Sequence, residues 1–300
     1  MGTSDPYPGP SPRTPLVPDW IDGNDPPLPA PGPPAPPPDD GPPADPPLLP
    51  IPPALPIPPP PPAHVRPQAA NPQRFRDART NFTRFSRSGG NNRASLGRAV
   101  SNYVSTAAGG ARQAARRMGS SRAAGARLLN FLSDAQARGA REALRALNLE
   151  NLAGRPIEEI FLGLADYVCP LGGTVDDGIA RDAFIETIVD LADQGIGDLD
   201  ALATDQMQTV FELYATHAIE ARICNDIGNK SVTVPTDIRA VARVQAQLRD
   251  FIRRGVGDAL TAARTEGAAL TPDRVLGFVD RLYEAAFAIL LVMGDREAAT

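Results

Sequence analysis

Thirty of the chain's 34 prolines fall within residues 1–72. Proline fixes φ and removes a backbone donor, so a stretch this dense forms neither helix interior nor central strand. The four remaining prolines are Pro156, Pro170, Pro235 and Pro272, and the foldable part therefore runs from about residue 73 to 300. That length suffices for one sizeable core. Residues 1–72 are expected to be a disordered tail with polyproline II character in "PPLPAPGPPAPPP" and "IPPALPIPPPPP". Fully extended, such a tail reaches on the order of 200 Å. Its apolar islands are "TPLVPDWI" and "LLPIPPALPI", and the first holds the only tryptophan, Trp20. Tryptophan is a common interface anchor, so Thr14, Pro15, Leu16, Val17, Pro18 and Trp20 are read as a candidate docking motif. The bland alternative is a plain linker.

The net charge of −5 hides a partition. Residues 1–72 carry a net −5, residues 73–145 a net +12 and residues 146–300 a net −12. Three regions follow: a Pro-rich tail (1–72), an Arg-rich helical segment (73–145) and an acidic helical bundle (146–300). The basic block either docks on the acidic block, within one chain or between copies, or it binds a polyanion. Clustered arginine is the electrostatic footprint of phosphate recognition. Arg74, Arg76, Arg79, Arg84, Arg87, Arg112, Arg116 and Arg117 are the candidates for that role.

Two cysteines, Cys169 and Cys224, make no disulfide scaffold and read as buried thiols. The N-terminus lacks a basic region followed by an apolar run, so no signal peptide is expected. The longest apolar run, Ala285 to Met293, is too short to span a bilayer. A cytoplasmic location follows as the expectation, with no membrane partner. "MGTSDP" fails as a myristoylation site because Pro6 stands where Ser or Thr is needed.

From Gln73 onward the apolar spacing is helical. Phe75, Ala78, Phe82 and Phe85 share one face, and "SGGNN" ends it. Ser95 is expected to cap a helix through Leu96, Val100, Tyr103 and Val104. Gly109-Gly110 breaks the pattern, two helices flank Gly119, and "AREALRALNL" adds a turn or two. Pro156 starts a helix through Ile160, Phe161 and Leu164. Asp176 or Asp177 is expected to open the next, with Ile179, Ala183, Phe184, Ile188 and Leu191 inward. Thr204 and Thr236 are expected to cap two longer helices. Thr271-Pro272 is an N-cap and N1 pair for the last. "DIGNKSVTVP" is the one plausible extended piece. Nothing alternates with period two for long, so the expected class is all-α: an irregular bundle of about seven to nine helices behind the tail.

Motifs for chemistry are missing. There is no Walker loop, no Gly-x-Gly-x-x-Gly, no His-Glu-x-x-His and no Cys-x-x-Cys. Of the two histidines, His64 lies in the tail, and His217 beside an apolar face reads as a surface or boundary residue rather than a metal ligand. Glu158-Glu159 and Asp176-Asp177 are adjacent acids. Neighbours on a helix point about 100° apart, so they form no acid–base pair and serve the helix dipole instead. No cofactor and no catalytic residue is expected. Phenylalanine interleaved with arginine could stack on single-stranded nucleic acid, but helical apolar stripes usually serve packing.

The stretches "RFSRSGGNNRASLGRAVSNYVSTAAGGARQAARRMGSSRAAGARLLNFLSDA" and "NLAGRPIEEIFLGLADYVCPLGGTVDDGIARDAFIETI" resemble the B component of the Qat anti-phage defence system. "MGTS" and "TPLVPDW" also resemble that family's opening. The resemblance implies a four-gene operon whose other products resemble an ATPase, a QueC-like deazaguanine-synthase-type protein and a TatD-type metal-dependent DNase. It supplies no catalytic activity for the B component itself. The implied partners are those products, the QueC-like protein first.

QueC-type enzymes use ATP to activate a carboxylate on a deazaguanine base, which an amine then attacks. The attacking amine must be unprotonated. An α-amino group has a pKa of about 7.7–8.0 against about 10.4 for lysine, so it is far more often neutral near pH 7. Removal of Met1 would expose Gly2, which has no side chain to obstruct a narrow site. Lys230 is the only lysine. Gly2 is thus the candidate modified N-terminus, and Thr3 and Ser4 are its recognition neighbours. The expected role is a non-catalytic adaptor, and a protein substrate, in an anti-phage complex. The rivals are a nucleic-acid-binding subunit using the Arg-rich segment and a structural homo-oligomer.

Overall fold

Buried apolar residues recur at helical spacing wherever the chain leaves its proline tract, and helices form there. A computed structural model describes residues 72–228, 237–265 and 272–300. A 3₁₀ turn (Pro72–Phe75) leads into α1 (Arg76–Arg87) and α2 (Arg93–Asn102). Next come α3 (Ala111–Arg116), α4 (Gly119–Arg138), α5 (Ala140–Ala146), α6 (Ile157–Val168) and α7 (Val175–Asp193). The longest three are α8 (Thr204–Ile227), α9 (Ile238–Thr265) and α10 (Pro272–Ala298). Among the described residues there are ten α-helices, two of them shorter than eight residues, and no strand. The all-α expectation holds. The expected tail falls outside the described residues, as does most of "DIGNKSVTVP".

Helix starts differ from the sequence reading in an informative way. α2 is capped by Asn92, whose side chain accepts from the Ser95 N–H; Ser95 lies inside the helix. α7 is capped by Thr174, in a reciprocal box with Asp177. The acids read as openers are first-turn residues, where the helix dipole favours them. Thr204 is already helical, and the Gln206 side chain reaches back to the Ala203 N–H. Before α9, the Asp237 carboxylate accepts from the Arg239 and Ala240 N–H groups. Thr236 and Thr271 lie outside the described residues.

α2 does not continue as an ordinary helix. Residues Tyr103–Ala107 form a π-helical turn, closed by Ala108 N–H to Tyr103 O at 2.8 Å. The extra residue keeps Tyr103, Val104 and Ala107 buried while rotating the chain toward Gly109 and Gly110. Both glycines have positive φ, +87° and +97°, a conformation L side chains rarely adopt.

One core spans the basic and acidic segments. Leu128, Phe131 and Leu132 of α4 share it with Phe161, Phe184, Tyr214 and Phe287. Phe161 and Phe184 stack at 5.8 Å, and Phe184 meets Tyr214 edge-on at 6.4 Å. Gly125 leaves room on α4 for the rings of Phe211 and Tyr214, since a Cβ there would stand 3.3 Å from each. The buried Tyr214 hydroxyl donates to Ser121 O at 3.0 Å. α10 packs against α2, α3, α4 and α9, while α8 lies against α4, α7 and α9.

Candidate functional site

The first turn of the folded body is clamped to the end of α8. Phe75 is buried and stacks on Tyr103 at 6.3 Å and 29°. The guanidinium groups of Arg74 and Arg79 lie 4.7 Å and 5.3 Å from the Phe75 ring. Arg79 also donates to the carbonyls of Ile227 (2.5 Å) and Asp226 (3.3 Å). Those are last-turn carbonyls of α8, which lack intrahelical partners and sit at the negative end of the dipole.

Side-chain chemistry continues inward from this clamp. The Tyr103 hydroxyl donates to Asp226 Oδ2 at 2.9 Å. Burial first, and the Asp226 charge second, push the Tyr103 hydroxyl well above the ordinary phenol range. Arg222 Nε lies 3.4 Å from Asp226, an ion-pair distance rather than a hydrogen bond. Arg222 also donates to Asp176 Oδ1 at 2.7 Å. Asp176 accepts from the Ser120 N–H at 3.0 Å, and the Ser120 hydroxyl donates to Asp177 at 2.8 Å. Hydrogen bonds from Thr174 and Ser120 hold the Asp177 carboxyl below its usual range. The ladder joins the C-terminus of α8 to the N-termini of α4 and α7. It is a positioning network: with the Phe75 clamp it fixes the first described turn, Pro72–Phe75, against α8.

The candidate arginines divide by role. Arg112 pairs with Glu284 at 3.2 Å, and Arg79 is held in the clamp. Beyond the candidates, Arg122 pairs with Asp280 and Arg127 donates to Val168 O at 2.8 Å. The basic block thus docks on the acidic block within one chain. Arg79, Thr80, Thr83, Arg84 and Arg87 line a shallow concavity of about 280 Å³ on α1. Arg76 and Arg84 are exposed, Arg116 is exposed on α3, and Arg117 is half-buried beyond it. The structure gathers Arg79, Arg84 and Arg87 on one face. It leaves Arg74 on Phe75, and Arg112, Arg116 and Arg117 on a different element. Gly2, Thr3, Ser4, Thr14, Pro15, Leu16, Val17, Pro18 and Trp20 lie outside the described residues.

His217 is not at the boundary: it is buried, 3 % exposed. Its Nε2 is 2.8 Å from Asp190 Oδ2, and Glu220, bonded to Arg249 at 2.8 Å, lies 4.0 Å from Nδ1. Only the His217–Glu220 spacing of three is visible in sequence. Asp190 and Arg249 come from other helices. Cys169 is buried and Cys224 half-buried, both free thiols pushed up to about 12 by burial. Among the described residues no group of three or more His, Cys, Asp or Glu is arranged to hold a metal ion. Among them, too, no helix is long and apolar enough to cross a membrane.

No curated protein and no solved structure matches this chain. A family model does: that of the Qat anti-phage system associated protein QatB matches residues 109–290. The match runs from the Gly109-Gly110 turn through most of α10 and covers more than half of the 300 residues, so the chain belongs to the QatB family and has its role in the Qat anti-phage defence system.

Proposed function

We propose that the chain is an adaptor of the Qat system that presents its N-terminal leader to a QueC-like partner, with Gly2 as the reacting amine. In the chemistry envisaged, Met1 is removed and the neutral Gly2 nitrogen attacks the activated carboxyl carbon on a deazaguanine base. An amide bond forms, the activating group leaves with its electron pair, and the surplus amine proton passes to solvent. The supporting observation is the clamp. Phe75, Arg79 and Tyr103 tie the first described turn to α8, which supports a firmly packed body able to carry a presented leader. Thr3 and Ser4 would be recognition neighbours, and Thr14 to Trp20 a docking anchor. A pull-down from cells expressing the other Qat components, comparing wild type with a deletion of residues 2–20, tests this. The reading requires loss of the QueC-like partner and loss of defence on deletion; full protection by the deleted chain contradicts it.

A second reading rests on the α1 concavity. Arg84, which is exposed there, and the Thr83 hydroxyl beside it have the chemistry to hold phosphate groups of a nucleic acid. Such binding would fall steeply with salt, whereas apolar docking of Trp20 would not.

A further inference from the structure

α7 is apolar on two faces. Its inward face carries Ile179, Ala183, Phe184 and Leu191, all buried. Its outward face runs through positions 175, 178, 182, 185, 189 and 192, a spacing of three and four that keeps one stripe in line along a helix. A solvated stripe should be polar, yet this one presents Val175, Ile185 and Val189, which are 67 %, 37 % and 52 % exposed. α6 extends the surface. The Arg181–Asp166 ion pair and the Phe161–Phe184 stack set the register of the α6–α7 hairpin. One helical turn from that ion pair on each helix stand Leu162 of α6, 63 % exposed, and Ile185 of α7, and the antiparallel register puts the two positions at the same level. Contiguous exposed apolar surface of this kind marks an interaction site.

The charge around the stripe says what kind of partner fits. Residues 156–193 hold nine carboxylates and one arginine, Arg181; Asp166 pairs that arginine, Glu159 pairs with Arg155, Asp176 with Arg222, and Asp190 meets His217, which leaves the charge of the outer face to the other acids. Asp182 and Glu186 are exposed, on or beside the stripe. An acidic rim around an apolar centre repels acidic surfaces and attracts basic ones.

We propose that the outer face of the α6–α7 hairpin docks another Qat component through a segment whose aliphatic side chains are flanked by arginine or lysine. The inference rests on the adaptor reading but concerns a surface of the body, separate from the leader. Leu162, Ile185 and Val189 supply the apolar contact; Asp182 and Glu186 select the basic flanks.

The test uses the full-length tagged chain co-expressed with the other Qat components, weighing what co-purifies. Two variants are compared with wild type: Leu162→Glu combined with Ile185→Glu and Val189→Glu, and the charge reversal Asp182→Arg with Glu186→Arg. Each should lower the retained component by about tenfold or more, the loss expected when a hot-spot contact is removed. Thermal melting of each isolated variant checks folding, and the surface charge reversal keeps the test valid should the triple variant unfold. Undiminished retention by the two variants overturns this inference and leaves the leader reading standing. Retention of nothing by wild type overturns both. A dimer of the isolated chain that the triple variant converts to monomer assigns the face to a second copy and overturns the proposed partner.

Discussion

Gly97 and Gly294 bring α2 and α10 together at backbone contact. A Cβ on Gly97 would stand 2.6 Å from the Gly294 carbonyl oxygen, and one on Gly294 would stand 2.7 Å from that of Gly97. Backbone atoms cannot move aside as a flexible side chain can. The crossing seats the last helix against the second and ties the C-terminal end of the chain to the Arg-rich segment, where Arg98 donates to Ala298 O at 2.8 Å.

Gly97→Ala and Gly294→Ala should therefore each destabilise the protein by about 1–3 kcal/mol, the usual cost of overpacking, despite alanine's better helix propensity. Gly178→Ala is the control: nothing lies within 4 Å of its Cβ position in α7. It should stabilise by about 0.5–1 kcal/mol. Urea titration of the three variants reads the difference in sign.

Tyr103→Phe keeps the ring against Phe75 but removes the bond to Asp226. It should cost about 1.5–3 kcal/mol, the range for a hydrogen bond to a charged group. Phe75→Ala should cost about 3–5 kcal/mol if the whole body feels it. It should also open α1 to trypsin first, because the clamp is what fixes that helix start. Denaturation curves and time-resolved proteolysis separate the two effects.

Stability should fall as pH rises above 9. The Cys169 and Cys224 thiols, normally titrating at 9.0, are pushed up to about 12 by burial. Below 9 both states are protonated and nothing is lost. Between 9 and 12 the unfolded chain releases protons that the folded chain retains, which favours unfolding. At pH 10 the loss is on the order of 1 kcal/mol per thiol. Buried Tyr103, Tyr214 and Tyr283 act in the same direction at higher pH. Melting curves at pH 8 and 10 for wild type and Cys169→Ala check this; the variant should lose less over the interval.

The arginines should separate by stability. Arg84→Ala, at an exposed position, should change it by no more than about 0.5 kcal/mol. Arg122→Ala removes a largely buried guanidinium from Asp280 and should cost about 1–3 kcal/mol. Thermal melting at low salt distinguishes a structural arginine from one left for a ligand.

Much of the helix inventory was legible because it depends on local spacing. Pro156, the Gly109-Gly110 break and the Leu128–Leu132 face all stand where the pattern puts them. Caps were harder: Asp176 and Asp177, the expected openers of α7, lie in its first turn, and Asp177 reaches back to the cap, Thr174. The π turn at Tyr103 was invisible, because one added residue leaves an apolar pattern that still looks helical. The clamp itself joins residues 123 positions apart, Tyr103 and Asp226. The docked charge blocks were anticipated as one option, yet the individual partners were not, because ion pairs across a bundle depend on packing that no single helix encodes. His217 failed for the same reason: its carboxylate partner Asp190 lies 27 residues away.

Intact-mass spectrometry of the full-length chain, co-expressed with the other Qat components, reads modification of Gly2 without an intermediary. If Gly2 is the reacting amine, a species appears that is heavier than the Met-trimmed polypeptide by one deazaguanine acyl group, with the added mass on the N-terminal peptide at Gly2. A chain that carries only the Met-trimmed mass, in cells where the system protects against phage, would contradict that role.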